Sequence, residues 1–207
     1  MTIAEPTTTL TDYAMGALSL VLGAQLLASG TRDRNPPQTL WGMGLLATGM
    51  ASLIGGSSHG FAPYLSTDTR AAVWRATYGT LGMANLLILA AAAAFALRGA
   101  AASVAVFALT VRLALYLAFI TSRPEFRYVV YDYVLTLLLL TIFAAHGRLR
   151  DWPGAVWMMA GIGVSFVGAL IQRSGFALHR HFNHNDLFHV VQTIAIYLYY
   201  RAGVELH

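Results

Sequence analysis

Seven long apolar stretches alternate with short polar ones along the chain. The apolar stretches cover roughly residues 13–30, 38–59, 72–97, 101–121, 124–145, 153–172 and 185–203. A helix needs about 20 mostly apolar residues to cross a hydrocarbon core of about 30 Å. The separating segments, such as "TRDRNPP" and "TSRPEF", have the Pro, Asn and charged residues that are typical of turns. The pattern predicts an all-α, multi-pass integral membrane protein, with residues 1–207 forming one bundle of seven transmembrane helices after a short polar tail.

Composition supports this prediction and excludes several classes of function. Hydrophobic residues make up 57% of the chain and charged residues only 11%, against roughly 25% charged in soluble domains. The chain has no cysteine, so disulfides and thiolate metal sites are excluded. All 13 basic residues are arginine, and without a lysine amine no retinal Schiff base can form. The arginines are scattered over every connection, so we do not expect nucleic acid as a partner.

The basic residues give only a small preference for one orientation in the membrane. With the N-terminus outside, six arginines lie inside, namely Arg32, Arg34, Arg98, Arg148, Arg150 and Arg201. Five then lie outside, namely Arg70, Arg123, Arg127, Arg173 and Arg180. Because cytoplasmic loops carry the excess of basic residues, the count favours an external N-terminus by one arginine.

Polar side chains concentrate in one leaflet of the predicted bundle. Alternating spans bring the end of helix 2, the start of helix 3, the end of helix 4, the start of helix 5, the end of helix 6 and the start of helix 7 to the same side. These segments carry Ser57, Ser58, His59, Arg75, Tyr78, Arg112, Tyr116, Tyr128, Asp132, Gln172, Asn185, Asp186, His189 and Gln192. Ionisable groups inside a membrane are costly and usually functional. The asymmetry therefore predicts a polar cavity that opens to one side.

Two histidines in this leaflet raise the possibility of a metal site. His59 ends helix 2 and His189 lies about one turn into helix 7, so their imidazoles can meet. Catalytic zinc takes three protein ligands and one water, whose pKa it lowers towards neutrality. Asp186, on the same helical face as His189, or His184 at the helix mouth would be the third ligand.

Neighbouring side chains could complete a hydrolytic site. Asp132 would act as general base or as the partner of a metal ligand, and Ser57 or Ser58 would hydrogen-bond a substrate carbonyl. Structural interpretations compete with these roles. Asp132 would equally neutralise Arg112 or Arg75, and Asp186 would equally place a negative charge at a helix N-terminus.

The layout resembles the CREST superfamily, the seven-helix membrane proteins that include alkaline ceramidases and progestin/adipoQ receptors. The motifs that carry this resemblance are "SSHGF", with His59, and "NDLFHVV", with His189. The resemblance implies zinc bound by histidines of helices 2 and 7, beside a serine and an aspartate, and cleavage of a lipid amide. Gly55 stands at the position of the family's serine and Asn185 at that of its first helix 7 histidine. Asp132 belongs to helix 5, whereas the family's aspartate belongs to helix 3.

The sequence thus predicts a metal-dependent, zinc-containing hydrolase that acts on a lipid amide or ester. Two other classes remain open. One is a non-enzymatic binder, transporter or proton-coupled protein, with a membrane lipid or an amphipathic small molecule as its ligand. The other is a haem protein in which His59 and His189 are paired axial ligands. The sequence does not indicate an oligomeric state.

Overall fold

The computed structural model, which describes residues 2–207, is a bundle of seven α-helices. The helices are α1 (Pro6–Arg32), α2 (Pro36–Phe61), α3 (Thr67–Ala96), α4 (Gly99–Ser122), α5 (Phe126–Leu149), α6 (Gly154–Ser174) and α7 (His184–Val204), and a short 3₁₀ turn, Ala62–Tyr64, follows α2. The predicted seven-helix bundle is confirmed. Helices α1 to α6 are long and apolar enough to cross a membrane. The seventh, α7, is less apolar than these because its first three turns carry a polar face.

The largest difference from the predicted boundaries is at the N-terminus. Helix α1 begins at Pro6 and not near residue 13, because the proline stands in the first turn, where its missing N–H costs nothing. The predicted polar tail is therefore largely helical. Its residues Thr8, Thr9 and Asp12 are buried, so the first two turns of α1 belong to the core of the bundle.

Helices α1 and α2 pack closely through glycines. Gly23 is so near α2 that a Cβ atom there would lie 2.8 Å from the backbone nitrogen of Leu46, and one on Gly56 would lie 2.7 Å from Cβ of Asp12. Both glycines belong to the pairs of small residues four apart in the sequence, Ser19 with Gly23 and Ser52 with Gly56. Ser19 adds a hydrogen bond of 2.7 Å to the carbonyl oxygen of Leu45. Small residues thus allow the close backbone approach that stabilises helix pairs in membranes.

The remaining helices surround this pair unequally. Helix α7 packs against α1, α2 and α6, while α5 packs against α3 and α6. Helix α4 packs mainly against α3 and lightly against α5, and within its range Gly99–Ser122 Ile120 alone is buried. The core of the bundle is therefore formed by the other six helices, and α4 lies at its edge.

Candidate functional site

A cavity of about 320 Å³ lies in the middle of the bundle, and every helix except α4 contributes to its wall. One end of the cavity, called its mouth below, lies where α2 ends and α5 and α7 begin, and His59, Trp74, Phe126 and Asn185 line it. The inner part is mostly apolar and is lined by Leu45, Ile88, Leu137, Leu140 and Ile196. Polar side chains lie between the mouth and this apolar part, namely Asp12, Ser52, Asn85, Tyr133, His189 and Gln192. The cavity thus has a polar and an apolar end.

His189 lies at the centre of the polar zone and is fixed by α1. Its Nε2 atom lies 3.3 Å from Oδ1 of Asp12, and its Nδ1 atom lies 3.0 Å from the hydroxyl oxygen of Thr11. The Ser52 hydroxyl donates to the backbone oxygen of Asp12 at 2.7 Å and to its Oδ1 at 3.1 Å. Three helices, α1, α2 and α7, therefore hold one buried carboxylate–imidazole pair.

Asp186 is buried behind this pair and serves the structure of α7. Its Oδ1 atom accepts a hydrogen bond of 2.7 Å from the hydroxyl of Thr8, and its Oδ2 atom accepts one of 2.7 Å from the backbone N–H of Asn183. The side chain of Asn183 in turn accepts from the first backbone N–H groups of α7, which completes a capping box. Asn183 is thus the N-cap, and both carboxylate oxygens of Asp186 are engaged in holding the start of α7.

His59 forms a second carboxylate–imidazole pair at the mouth. Its Nδ1 atom lies 3.1 Å from Oε2 of Glu5, and its ring packs edge-on against Trp74 with centroids 5.3 Å apart. The Glu5 side chain is 41% exposed, so this pair is more accessible than the buried one. His184, the first residue of α7, is half-buried and lies outside the cavity wall.

The predicted zinc ligands are therefore distributed over two separate pairs and a helix cap. Within residues 2–207, no group of three His, Asp or Glu side chains is arranged to hold a metal ion. The Nε2 atom of His59 has no protein partner in this part of the chain, whereas both nitrogens of His189 and both oxygens of Asp186 have one. As arranged, these donors do not fit a three-ligand zinc site.

Asp132 forms an ion pair with Arg112, one of the two arginine partners considered from the sequence. A terminal nitrogen of Arg112 donates to Oδ1 and to the backbone oxygen of Asp132, and also to the hydroxyl of Thr136. Asn85 donates to Oδ2 of Asp132 at 2.7 Å. Neither Arg112 nor Asp132 lines the cavity, but Asn85 and Thr136 do. The ion pair therefore joins α4 to α5 behind the cavity wall.

The other predicted site residues divide into two groups. Tyr78, Gln172, Asn185 and Gln192 line the cavity, as the sequence predicts. Arg75, Tyr116, Tyr128, Ser57 and Ser58 lie outside its wall. The side chains of these five residues lie elsewhere in the bundle. Arg75 is on the exposed face of α3, the Tyr116 hydroxyl donates to the backbone oxygen of Tyr78, Tyr128 packs against Phe119, Ser57 bonds Tyr13, and Ser58 is fully buried.

The contribution of α1 to the site, above all that of Asp12, Thr8 and Thr11, was not predicted from the sequence. A signal was present. Thr8, Asp12, Met15 and Ser19 recur at intervals of three and four residues, and the buried face of α1 continues with Leu22 and Leu26 at the same intervals. A polar face that continues an apolar one indicates that the polar residues are also buried against partners.

Comparison with known proteins gives one match. The family of unknown function DUF6962 matches the chain over residues 7–207, so the chain belongs to this family. The match includes all of α2 to α7 and all but the first residue of α1. No curated protein matches the chain, and no solved structure matches it.

Proposed function

We propose that this member of the DUF6962 family is a membrane protein that binds a single-chain amphipathic molecule inside its helix bundle. The observation that carries the proposal is the cavity of about 320 Å³, with its polar zone beside an apolar inner part. Ligand sites of this kind span about 300–1,000 Å³ and combine apolar walls with a few fixed polar groups. The volume is at the small end of this range, which favours one hydrocarbon chain over a two-chain lipid.

Rigid fixation of the polar groups also supports binding. Asp12, His189 and Ser52 are held by one another and by three helices, so no side chain has to be ordered when a ligand enters. Such preorganisation reduces the entropic cost of binding. The apolar chain of the ligand would lie against Leu45, Leu137 and neighbouring residues, and its polar end would lie beside His189.

The proposal can be tested by filling the cavity from Gly55. This residue lines the cavity, and a Cβ atom there would meet only the Thr77 methyl carbon, at 3.6 Å. Gly55→Leu should therefore fold normally but occupy the space of the ligand. Gly163→Leu is the matched control, because Gly163 lies on the exposed face of α6 with no atom within 4 Å of its Cβ position.

The measurement is mass spectrometry of lipids that copurify with the three proteins. We expect the wild type and Gly163→Leu to carry about one single-chain lipid per protein, and Gly55→Leu to carry much less. Equal lipid content in Gly55→Leu and Gly163→Leu, in folded proteins, would refute binding inside the cavity.

Metal-dependent hydrolysis of a lipid amide or ester, the activity implied by the CREST resemblance, is the second candidate. It is favoured by one observation. His59 and His189 line the same cavity, and each has a carboxylate beside one ring nitrogen, as metal-bound histidines commonly do. Against it stands the dispersed donor set described above.

Elemental analysis of the purified protein, with an absorbance spectrum, decides between these candidates. About one zinc per chain, lost in both His59→Ala and His189→Ala, would support the hydrolase. A haem absorbance band lost in the same variants would instead support the bis-histidine haem protein. A folded wild type that contains neither zinc nor haem would exclude both of these candidates, and ligand binding would be the one function left.

For the orientation in the membrane, we propose that the N-terminus and the mouth of the cavity face the outside. The support is the arginine count, which is larger by one at the opposite end of the bundle. Labelling of a cysteine introduced in place of Ser66, at the exposed start of α3, by a membrane-impermeant reagent on intact cells tests it. Labelling only after the cells are opened would show that the N-terminus and the mouth face the inside.

A further inference from the structure

Some polar groups of the cavity wall have hydrogen-bond partners in the protein, and others have none. Among the polar side chains of its wall, the donors of Ser52, Asn85 and Thr136 are directed to protein acceptors. By contrast, the side-chain carbonyl oxygens of Gln172 and Gln192 are buried and have no hydrogen-bond partner within residues 2–207. Buried polar atoms almost always have a partner, so these two oxygens need a donor that the protein does not supply.

Gln192 is the more informative of the two. Gln192 is only 8% exposed. Its amide nitrogen donates to the hydroxyl of Tyr133 at 2.7 Å and to that of Ser165 at 3.4 Å, which fixes the amide group. The carbonyl oxygen lies 3.5 Å from the Cβ position of Gly168 on α6, which the Phe188 ring also approaches, to 3.4 Å. A fixed acceptor without a partner therefore belongs to a residue of the cavity wall.

The charges of the wall exclude an anionic ligand group. Within residues 2–207 no arginine lines the cavity, and the two histidines that do are each paired with a carboxylate, Asp12 or Glu5. A carboxylate or phosphate would thus enter a low-dielectric space without a free cation, next to the acidic side chain of Asp12. Burial of an unpaired charge is very costly.

From these two observations we infer that the ligand has an uncharged polar end that donates hydrogen bonds, and that its chemical class is a long-chain alcohol. The hydroxyl donates to the oxygen of Gln192, and the hydrocarbon chain fills the apolar inner part. This inference rests on the proposed binding function and specifies its ligand. It separates the protein from binders of fatty acids and of phospholipids, which need a cation at the polar end of the site.

Three probes with the same chain test the inference, namely hexadecanol, its methyl ether and hexadecanoate. The ether accepts hydrogen bonds but cannot donate them, and hexadecanoate has a negative charge. Binding of each radiolabelled probe is measured on protein in phosphatidylcholine nanodiscs, with empty nanodiscs as the blank. We expect hexadecanol to bind about tenfold tighter than the ether, the effect of leaving a buried acceptor without its partner, and hexadecanoate to bind most weakly.

Variants then assign the preference to Gln192. Gln192→Met keeps the length of the side chain without the acceptor and should bring hexadecanol and the ether to within about twofold of each other. Gly168→Ser offers an internal donor to the same oxygen and should also reduce the preference. Gly168→Ala adds the same Cβ without a donor, so it should retain the preference.

The outcomes distinguish the inference from the function on which it rests. If none of the probes binds above the blank, the proposed binding function fails. If all three bind and Gly55→Leu abolishes binding, but hexadecanol has no advantage over the ether, the function stands and the inference is overturned. An advantage that persists in Gln192→Met and in Gly168→Ser also overturns it.

Discussion

The Nε2 atom of His189 on the last helix lies 3.3 Å from Oδ1 of Asp12 on the first helix, and both side chains are less than one-tenth exposed. Leaving a buried polar group without its partner usually costs about 1–3 kcal/mol. The pair therefore fixes α1 against α7 as well as forming the polar zone of the cavity.

A double-mutant cycle tests this pair. We expect Asp12→Ala and His189→Ala each to destabilise the protein, and the double variant to cost less than the sum by about 1–3 kcal/mol. The measurement is equilibrium unfolding in mixed detergent micelles. The accessible pair Glu5 and His59 is the control, and its coupling should be about 0–1 kcal/mol after solvent screening. Additive effects of Asp12→Ala and His189→Ala would contradict a direct interaction.

The hydrogen bond between Thr8 and Asp186 gives a second prediction. Thr8→Val keeps the shape of the side chain but removes the donor, so the buried Asp186 loses one of its two partners. We expect a loss of about 1–3 kcal/mol in unfolding free energy and faster hydrogen exchange in the first turn of α7. Thr7→Val, at a half-buried neighbouring position, is the control. Equal stability of the two variants would show that the bond contributes little.

Close packing of α1 on α2 predicts opposite effects for two glycine substitutions. In Gly23→Ala the new methyl group would lie 2.8 Å from a backbone nitrogen and 2.9 Å from the carbonyl oxygen of Gly42. Since backbone cannot move aside cheaply, we expect destabilisation by about 1–3 kcal/mol. Gly163→Ala meets no atom within 4 Å and should be neutral or stabilising by up to about 1 kcal/mol. Thermal unfolding of both purified variants is the measurement.

The ion pair between Arg112 and Asp132 should decide how firmly α4 is attached. Arg112→Leu leaves Asp132 with only the Asn85 donor outside its own helix, so we expect a loss of about 3–5 kcal/mol. The double variant Arg112→Leu with Asp132→Leu removes both charges and should recover most of that loss. Proteolysis and hydrogen exchange of α4 report the effect locally. A double variant as unstable as Arg112→Leu alone would assign the loss to packing of the arginine stem.

Sequence reasoning predicted the bundle well because membrane helices are defined by length and apolarity. The start of α1 was predicted wrongly because its first turns are polar and apolarity was the criterion for a helix. Thr8, Thr9 and Asp12 lower the local hydropathy, and their partners, Asp186, Glu5 and His189, lie either far along the chain or in the segment taken as a tail. Hydropathy along the chain cannot reveal that a polar face is satisfied by another helix.

The end of the bundle at which the cavity lies was predicted correctly, but some of the residues predicted to line it do not. His59, His189 and Gln192 line the cavity because the ends of alternating spans must share a leaflet. Arg75 and Tyr128 are in the same leaflet, yet they point elsewhere. The rotation of each helix about its axis decides this, and it is set by packing between helices. The zinc site and the hydrolase activity stay predictions.

The hydrogen bond from Thr8 to Asp186 joins residues 178 positions apart, and this separation has a consequence for biosynthesis. Helix α1 leaves the ribosome before α7, so Thr8 and Asp12 must wait in the nascent chain until α7 has been made. Contacts of such long range form late and slow the folding of a chain. The cavity wall is therefore incomplete until α7 has joined the bundle, and no fragment that lacks α7 can contain the site.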